Sequence, residues 1–237
     1  MTEETHPPLL DIGLLRPHEQ TDPIRLEELK KQLAADGYQK DPIIVDERHL
    51  IVIDGHHRIL ALRALGYTKV VAHKIKYLDD DRIIVKTWHP AVKGSRAELL
   101  KILQPYLEDA NPAENQQAAL LVLSETQHPL AASREAIMSS LLGRFSIEYA
   151  PDVETAKRLA RSEGYAGAIV FNSIDKDQVV KAALSGRVLP PKTTQHIIPE
   201  KPVDWFIPLE TLNNGVQQEQ TARRDHQEAG SRNPLQN

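Results

Sequence analysis

The sequence predicts an α/β protein of the α+β type, because short apolar segments typical of strands alternate with amphipathic segments typical of helices. The first ninety residues contain one helix pattern, two strand patterns, a second helix and a third strand. The alternation returns after about residue 145, in FSIEYA, PDVETAKRLARSEGY, AGAIVFN and DKDQVVKAALSGR. With 237 residues, of which 41% are hydrophobic, the chain can form one large domain or two smaller ones.

The first helix is predicted in DPIRLEELKKQLAADGY. Asp22 can cap its first turn, Pro23 suits the first helical position, and Gly37 suits the end. Three leucines at helical spacing give it one apolar face. The segment therefore predicts a helix of about four turns with a single buried stripe.

A hairpin and a second helix follow. PIIV and HLIVI are β-rich and are separated by DER, which predicts two antiparallel strands. The second strand continues into VIDGHHRILALRALGY, which predicts a strand followed directly by a helix that ends at Gly66. The next segment, TKVVAHKI, predicts another strand.

Helical patterns with proline breaks extend from Arg96 to about Gly143, namely AELLKILQPYLE, ENQQAALLVLSE and SREAIMSSLLGR. The last 25 residues are polar and lack spaced apolar positions, which predicts disorder. We therefore expect a nucleotide-type domain at 1–95, a helical connector at 96–145, a smaller C-terminal α/β domain at 146–212, and a disordered tail at 213–237.

Composition excludes several classes of function. The chain has no cysteine, which excludes disulfides, cysteine-zinc sites and thiol catalysis. Its net charge of −4 gives it no general attraction for nucleic acid. No apolar run is long enough to span a bilayer, and the N-terminal residues do not resemble a signal peptide. We expect a cytoplasmic protein with no membrane and no nucleic-acid partner.

A polar cluster lies where the second strand meets the second helix: Asp54, Gly55, His56, His57 and Arg58. The first turn of a helix has free N–H groups and a partial positive charge, so it attracts anions. Glycine allows close approach to the backbone, and histidine and arginine side chains can hold phosphate oxygens. The cluster predicts a phosphate site, most simply for a nucleotide. In the alternative interpretation, Asp54 only caps the helix and the histidines are partly buried. Adjacent histidines point about 100° apart, so a shared metal ion is disfavoured.

These segments together resemble the ParB/sulfiredoxin-like superfamily, on LRPHEQTDPIRLEELKKQLAADGYQKDPIIV and VIDGHHRILALRALGYTKV. Within it, the chain is most similar to the free L-serine kinases, a group that includes an archaeal ADP-dependent L-serine kinase and SbnI. Sulfiredoxin fits poorly because its catalytic cysteine has no counterpart here. The ParB proteins fit less well because no recognition helix rich in Lys and Arg follows.

The resemblance implies roles for particular residues. Glu19, in RPHEQTDP, matches the catalytic glutamate of the serine kinases and would act as the general base. Asp54 would hold Mg²⁺ or support that base, and His56, His57 and Arg58 would stabilise charge on the transferring phosphoryl group. Without the resemblance, a solvated carboxylate near a helix start would be the simpler interpretation of Glu19.

Two further segments are candidates for binding the amino acid. Trp88, in KTWHP, matches the tryptophan of the family, although a half-buried core aromatic is the alternative. PPKTTQH offers donors suited to a carboxylate or a phosphate, or else forms a surface turn followed by an edge strand. SbnI lacks the lysine of this segment, which makes Thr194 a better candidate than Lys192. The candidate donors are Lys192, Thr193, Thr194 and His196.

The sequence thus predicts a kinase that binds free L-serine and a nucleotide, with Mg²⁺, and forms O-phospho-L-serine. Both ADP and ATP are possible donors, because they share base and ribose and differ in the length of the phosphate chain. The alternative function belongs to another class: a nucleotide-dependent ParB-like regulator that binds DNA or a protein partner.

Overall fold

The computed structural model describes residues 8–108 and 119–213. The chain divides into two compact units. The first comprises, among the described residues, 8–15, 21–75 and 201–213, and the second comprises Arg16–Gln20 and the described part of 76–200. Apart from its first residue, the predicted disordered tail lies outside the described residues.

A mixed four-stranded sheet lies at the centre of the first unit. Its strands are β1 (Leu9–Asp11), β3 (Ile43–Asp46), β4 (Val52–Asp54) and β5 (Lys69–Ile75). They are ordered β1-β5-β3-β4; β3 and β5 run parallel, and the other two pairs are antiparallel. The antiparallel pair β3 and β4 confirms the predicted hairpin.

The helices of the first unit also follow the sequence pattern. They are α1 (Pro23–Asp36) and α2 (His56–Ala64). The carboxylate of Asp22 accepts hydrogen bonds from two backbone N–H groups in the first turn of α1, and Gly37 ends that helix with a left-handed φ of 72°. The predicted cap and stop of the first helix are therefore confirmed.

The C-terminal described segment packs in the first unit. Strand β13 (Phe206–Pro208) pairs antiparallel with β2 (Tyr38–Lys40), and a 3-10 helix follows at Leu209–Asn213. Leu209 and Leu212 are buried in the same core as β3, β5 and α2. This differs from the predicted C-terminal domain at 146–212, because residues 201–212 belong to the first unit and bury Leu209 and Leu212 in its core.

An antiparallel five-stranded sheet lies in the second unit. Its strands are β7 (His89–Lys93), β8 (Ala119–Leu123), β9 (Thr126–Leu130), β10 (Ser146–Ala150) and β11 (Tyr165–Val170). They are ordered β10-β7-β11-β8-β9. A separate two-stranded pair joins β6 (Ile84–Lys86) to β12 (Gln195–Ile197).

The prediction that 96–145 is a helical connector is wrong. This range contains helices α3 (Arg96–Glu108) and α4 (Arg134–Leu141), but β8 and β9 lie between them. The apolar run ALLVL is buried on both faces of the sheet, and periodicity does not distinguish such a strand from a buried helix.

Helices cover both faces of the larger sheet. Side chains of α3 and α4 pack with Val92, Leu121 and Ile169 on one face, and α5 (Val153–Arg161) packs with Ala91, Val122 and Ala168 on the other. Helix α6 (Lys176–Leu184) begins with a capping box at Asp175. These elements confirm the α+β fold class. Among the described residues, no helix combines the length and apolar character needed to cross a bilayer.

Candidate active site

The turn between β4 and α2 has the backbone geometry of an anion site. Gly55 adopts a φ of 106°, and a Cβ atom there would lie 2.5 Å from Cγ2 of Ile43. Among the described residues, no side chain caps α2, and the first turn of α2 contains no acidic residue. The partial positive charge at this end of the helix is therefore suited to an anionic ligand. This is the geometry that the sequence predicts for a phosphate.

The guanidinium of Arg58 donates hydrogen bonds to backbone carbonyl oxygens and to Asp54. Its Nη1 atom lies 3.2, 2.7 and 2.9 Å from the carbonyl oxygens of Lys40, Asp41 and Pro42. Its Nη2 atom lies 3.2 Å from Oδ2 of Asp54. The guanidinium thus fixes the segment before β3 and orients Asp54, a positioning contact that the sequence did not predict. The predicted contact of Arg58 with phosphate remains a prediction.

Asp54 is paired with two cations. Besides Arg58, the ammonium group of Lys201 forms an ion pair with the same carboxylate oxygen. Burial acts to raise the pKa of Asp54, but the charges of Arg58 and Lys201 outweigh it and hold this pKa below its ordinary value. Lys201 was missed in the sequence because it lies far along the chain from the motif, and no local pattern links the two.

The two histidines of the motif, His56 and His57, make different contacts. The Nε2 atom of His57 accepts a hydrogen bond of 3.0 Å from the backbone N–H of Asp22, so it links the start of α2 to the start of α1. His56 interacts electrostatically with Asp54 and helps to lower its pKa. His56 is therefore a better candidate than His57 for contact with a phosphate.

The donor set of the first unit fits a magnesium ion that arrives with a nucleotide. Among the described residues, no group of three acidic or histidine side chains could hold a metal by itself. Mg²⁺ is usually bound by one or two carboxylates together with substrate phosphates. Asp54 supplies such a carboxylate, and both of its ion pairs use Oδ2.

Glu19 lies in the second unit, in a short segment that runs parallel to the chain at Leu189. The backbone N–H of Gln20 donates to the carbonyl of Leu189 at 2.9 Å, and the N–H of Leu189 donates to the carbonyl of His18 at 2.8 Å. These two bonds place Glu19 beside the turn that carries the predicted donor segment.

Both oxygens of the Glu19 carboxylate accept hydrogen bonds. Oε1 accepts from the backbone N–H of Lys192 at 2.9 Å, and Oε2 accepts from the N–H and the hydroxyl of Thr194, both at 2.8 Å. Burial raises the pKa of Glu19 above its ordinary value, and the bonds from Thr194 and Lys192 offset this only in part. The structure thus brings together Glu19 and the TTQH segment, which the sequence predicted separately.

The remaining members of the donor segment have distinct environments. Thr193 is 2% exposed, and its hydroxyl donates to the carbonyl of Pro190 at 2.7 Å. This corrects the prediction that Thr193 faces a substrate, because its hydroxyl stabilises the turn. The ammonium of Lys192 lies 5.2 Å from the ring centroid of the half-buried Trp88, a cation–π distance that joins two predicted substrate residues.

A buried aromatic and histidine group supports Thr194. Nε2 of His18 lies 3.1 Å from the Thr194 hydroxyl, whose own proton goes to Glu19, so His18 is the donor. His196 contacts the ring of His18 edge-on and lies 2.8 Å from the hydroxyl of Tyr77. His18 and Tyr77 were not predicted, although His18 immediately precedes Glu19 in the RPHE segment.

Arg134 and His89 interact with each other, and the sequence did not predict this interaction. Burial, together with the charge of Arg134, lowers the pKa of His89 to about 4, so its imidazole is neutral. Nδ1 of His89 accepts from the backbone N–H of Phe171 at 3.3 Å, and the guanidinium of Arg134 lies 3.9 Å from the centre of the Phe171 ring. Arg134 also interacts electrostatically with Glu19.

Solved structures with a similar fold are known. The chain superimposes on a free serine kinase in complex with AMP with a TM-score of 0.73. The match covers 89% of this chain and 95% of that one, at 23% sequence identity. It shows that the two proteins share a fold.

Curated relatives extend the likeness to sequence. Over 235 residues the chain is 28% identical to the ATP-dependent L-serine kinase of Staphylothermus marinus, covering 89% of this chain and 92% of that protein. It is 27% identical over 222 residues to the ADP-dependent L-serine kinase SerK of Thermococcus kodakarensis, with coverages of 86% and 91%. No family model matches the chain. The predicted resemblance to the free L-serine kinases is confirmed over most of its length.

Proposed function

We propose that this chain is a free L-serine kinase, which transfers a phosphoryl group from ADP or ATP to the serine hydroxyl and forms O-phospho-L-serine. The observation that carries the proposal is the Glu19 carboxylate, which is half-buried and accepts hydrogen bonds from the backbone N–H groups of Lys192 and Thr194. An alcohol acceptor must lose its proton as its oxygen attacks phosphorus, and an oriented carboxylate serves that need. The L-serine kinase relatives support the same reaction.

Glu19 is suited to act as a base. Each carboxylate oxygen has two lone-pair positions, and Oε1 uses one of them for the N–H of Lys192. The second position can accept the serine hydroxyl proton. The serine oxygen then forms a bond to phosphorus, and the bond from phosphorus to the nucleotide bridging oxygen breaks, releasing AMP from ADP or ADP from ATP. Burial makes Glu19 a stronger base than an exposed glutamate.

We assign phosphate binding to the first unit. The helix start of α2, from Gly55 onward, and the side chain of His56 would hold phosphate oxygens. Asp54, oriented by Arg58 and Lys201, would hold Mg²⁺ together with those oxygens. When bound, Mg²⁺ would offset the negative charge that the phosphates carry.

We assign acceptor binding to the second unit. Trp88 with the overlying Lys192 would form one wall for the amino acid, and the Thr194 hydroxyl would keep Glu19 in place. His196, fixed by Tyr77, would supply a further polar contact. Thr193 stabilises the turn that presents these groups.

The decisive experiment supplies purified protein with L-serine, Mg²⁺ and either ADP or ATP, and measures phosphoserine by mass spectrometry. Relatives of both donor types are similar to this chain, so each donor is tested separately. We expect phosphoserine with at least one donor. Nucleotide binding without phosphoserine from either donor would reject the kinase and favour the ParB-like regulator.

A further inference from the structure

Arg134 carries hydrogen-bond donors that the described part of the chain does not use. It is the first residue of α4 and is half-buried. Of its five N–H donors, the described part of the chain accepts one hydrogen bond, a long one of 3.4 Å at the carbonyl of Asn172. It forms no ion pair with any described carboxylate. A half-buried guanidinium with unused donors is suited to an external anion.

The guanidinium of Arg134 lies against an aromatic ring. Its central carbon lies 3.9 Å from the centroid of the Phe171 ring, a stacking distance. Phe171 is itself buried, and its backbone N–H donates to His89. This contact limits the positions that the side chain can adopt, and a guanidinium can present two parallel N–H groups to a carboxylate.

Arg134 belongs to the same neighbourhood as the proposed acceptor residues of the second unit. His89, whose imidazole is affected by the charge of Arg134, directly follows Trp88. Trp88 lies under the ammonium of Lys192, and the N–H of Lys192 bonds to Glu19. A continuous set of contacts therefore connects the proposed base with Arg134.

We infer that Arg134 binds the α-carboxylate of free L-serine and so selects a free amino acid over acceptors that have the same hydroxyl but no carboxylate. The inference rests on the proposed function and assigns it a specificity residue. Lys192 is a weaker candidate for this contact, because its ammonium is already placed over Trp88 and is a point charge without the planar geometry of a guanidinium.

The test compares L-serine with L-serinamide, which keeps the hydroxyl and the amine but replaces the carboxylate by a neutral amide. For the wild type we expect kcat/KM to favour L-serine by roughly 100-fold, the discrimination typical of a site whose charged donors are left unpaired by the wrong substrate. For Arg134→Gln this ratio should fall to within a few-fold of one, because activity with L-serine is lost while activity with L-serinamide is kept.

Two further variants serve as controls. Arg134→Lys keeps the charge but lacks the planar pair of donors, and should retain an intermediate ratio. Arg144→Gln removes an exposed arginine shortly after α4 and should keep the wild-type ratio. Thermal unfolding of each variant shows whether it is folded. If Arg134→Gln is unfolded, the ratio for Arg134→Lys decides, since a ratio equal to that of the wild type overturns the inference.

A folded Arg134→Gln that keeps the wild-type preference for L-serine would also overturn the inference and leave the kinase proposal intact. If the wild type forms no phosphoserine with either donor, the proposed function fails instead. Calorimetric binding of L-serine and L-serinamide then tests the carboxylate contact directly, and equal affinities for the two compounds in the wild type would exclude it.

Discussion

Replacing Glu19 by glutamine separates the chemistry proposed for this residue from its structural role. Glutamine has nearly the same shape, but its amide group cannot accept the serine proton. General-base catalysis contributes roughly 10²- to 10⁴-fold to rates, so kcat for phosphoserine formation should fall by about that factor. A 100-fold loss corresponds to about 2.7 kcal/mol in the activation free energy.

The cost to stability can be worked out from the contacts. With its amide oxygen at the position of Oε2, glutamine keeps both bonds from Thr194, while its NH₂ group faces the N–H of Lys192. One hydrogen bond is lost and two lose their charged acceptor, but a half-buried charge is also removed. These effects oppose each other, so we expect a change of at most about 2 kcal/mol in the free energy of unfolding.

The assay pairs steady-state phosphoserine formation with nucleotide affinity by calorimetry. Glu19→Gln should bind nucleotide like the wild type, because the proposed phosphate contacts belong to the first unit. Glu163→Gln, which changes an exposed glutamate of the second unit, should keep wild-type kinetics. Unchanged kcat in a folded Glu19→Gln would refute the assignment of the base, and a raised KM with unchanged kcat would point to a binding role alone.

Three further predictions concern the motif and the base. Gly55→Ala should destabilise the protein by about 1–3 kcal/mol and weaken nucleotide binding, because its Cβ would meet Ile43 at 2.5 Å and its φ is 106°; a wild-type unfolding temperature would contradict this. Arg58→Ala removes its bonds to the carbonyls before β3 and to Asp54 and should cost about 2–4 kcal/mol, measured by denaturant unfolding, together with at least tenfold in kcat/KM. The acidic limb of the pH profile of kcat should lie above the ordinary glutamate pKa, because Glu19 must be ionised to act and burial raises its pKa; the limb should disappear in Glu19→Gln.

The raised pKa of Glu19 also has a consequence for stability. Since the folded state binds this proton more tightly than the unfolded state, stability falls as pH rises from below the unfolded pKa to above the folded one. Glu19→Gln removes this contribution. Unfolding free energies of both proteins across the acidic range should therefore show a smaller decrease with pH for the variant.

Elements with short-range signals were predicted well from the sequence. Asp22 and Gly37 mark the two ends of α1 through local capping and left-handed backbone geometry. The start of α2 at Gly55 was also predicted, because a strand, a glycine and a polar first turn follow one another within a few residues. The strand β8 was predicted as a helix, since an apolar run of five residues carries no periodicity that separates the two.

The sequence by itself determined the local part of each candidate site: a helix start with a leading glycine in the first unit and a donor-rich turn at 190–196 in the second. Only the tertiary structure decided which side chains complete each part. Lys201 meets Asp54, and Thr194 meets Glu19, across separations of 147 and 175 residues. Arg134 reaches Phe171 in the same way, from α4 to the end of β11. Helix caps and turns depend on neighbouring residues, whereas these contacts depend on how distant segments pack within each unit, which no local pattern encodes.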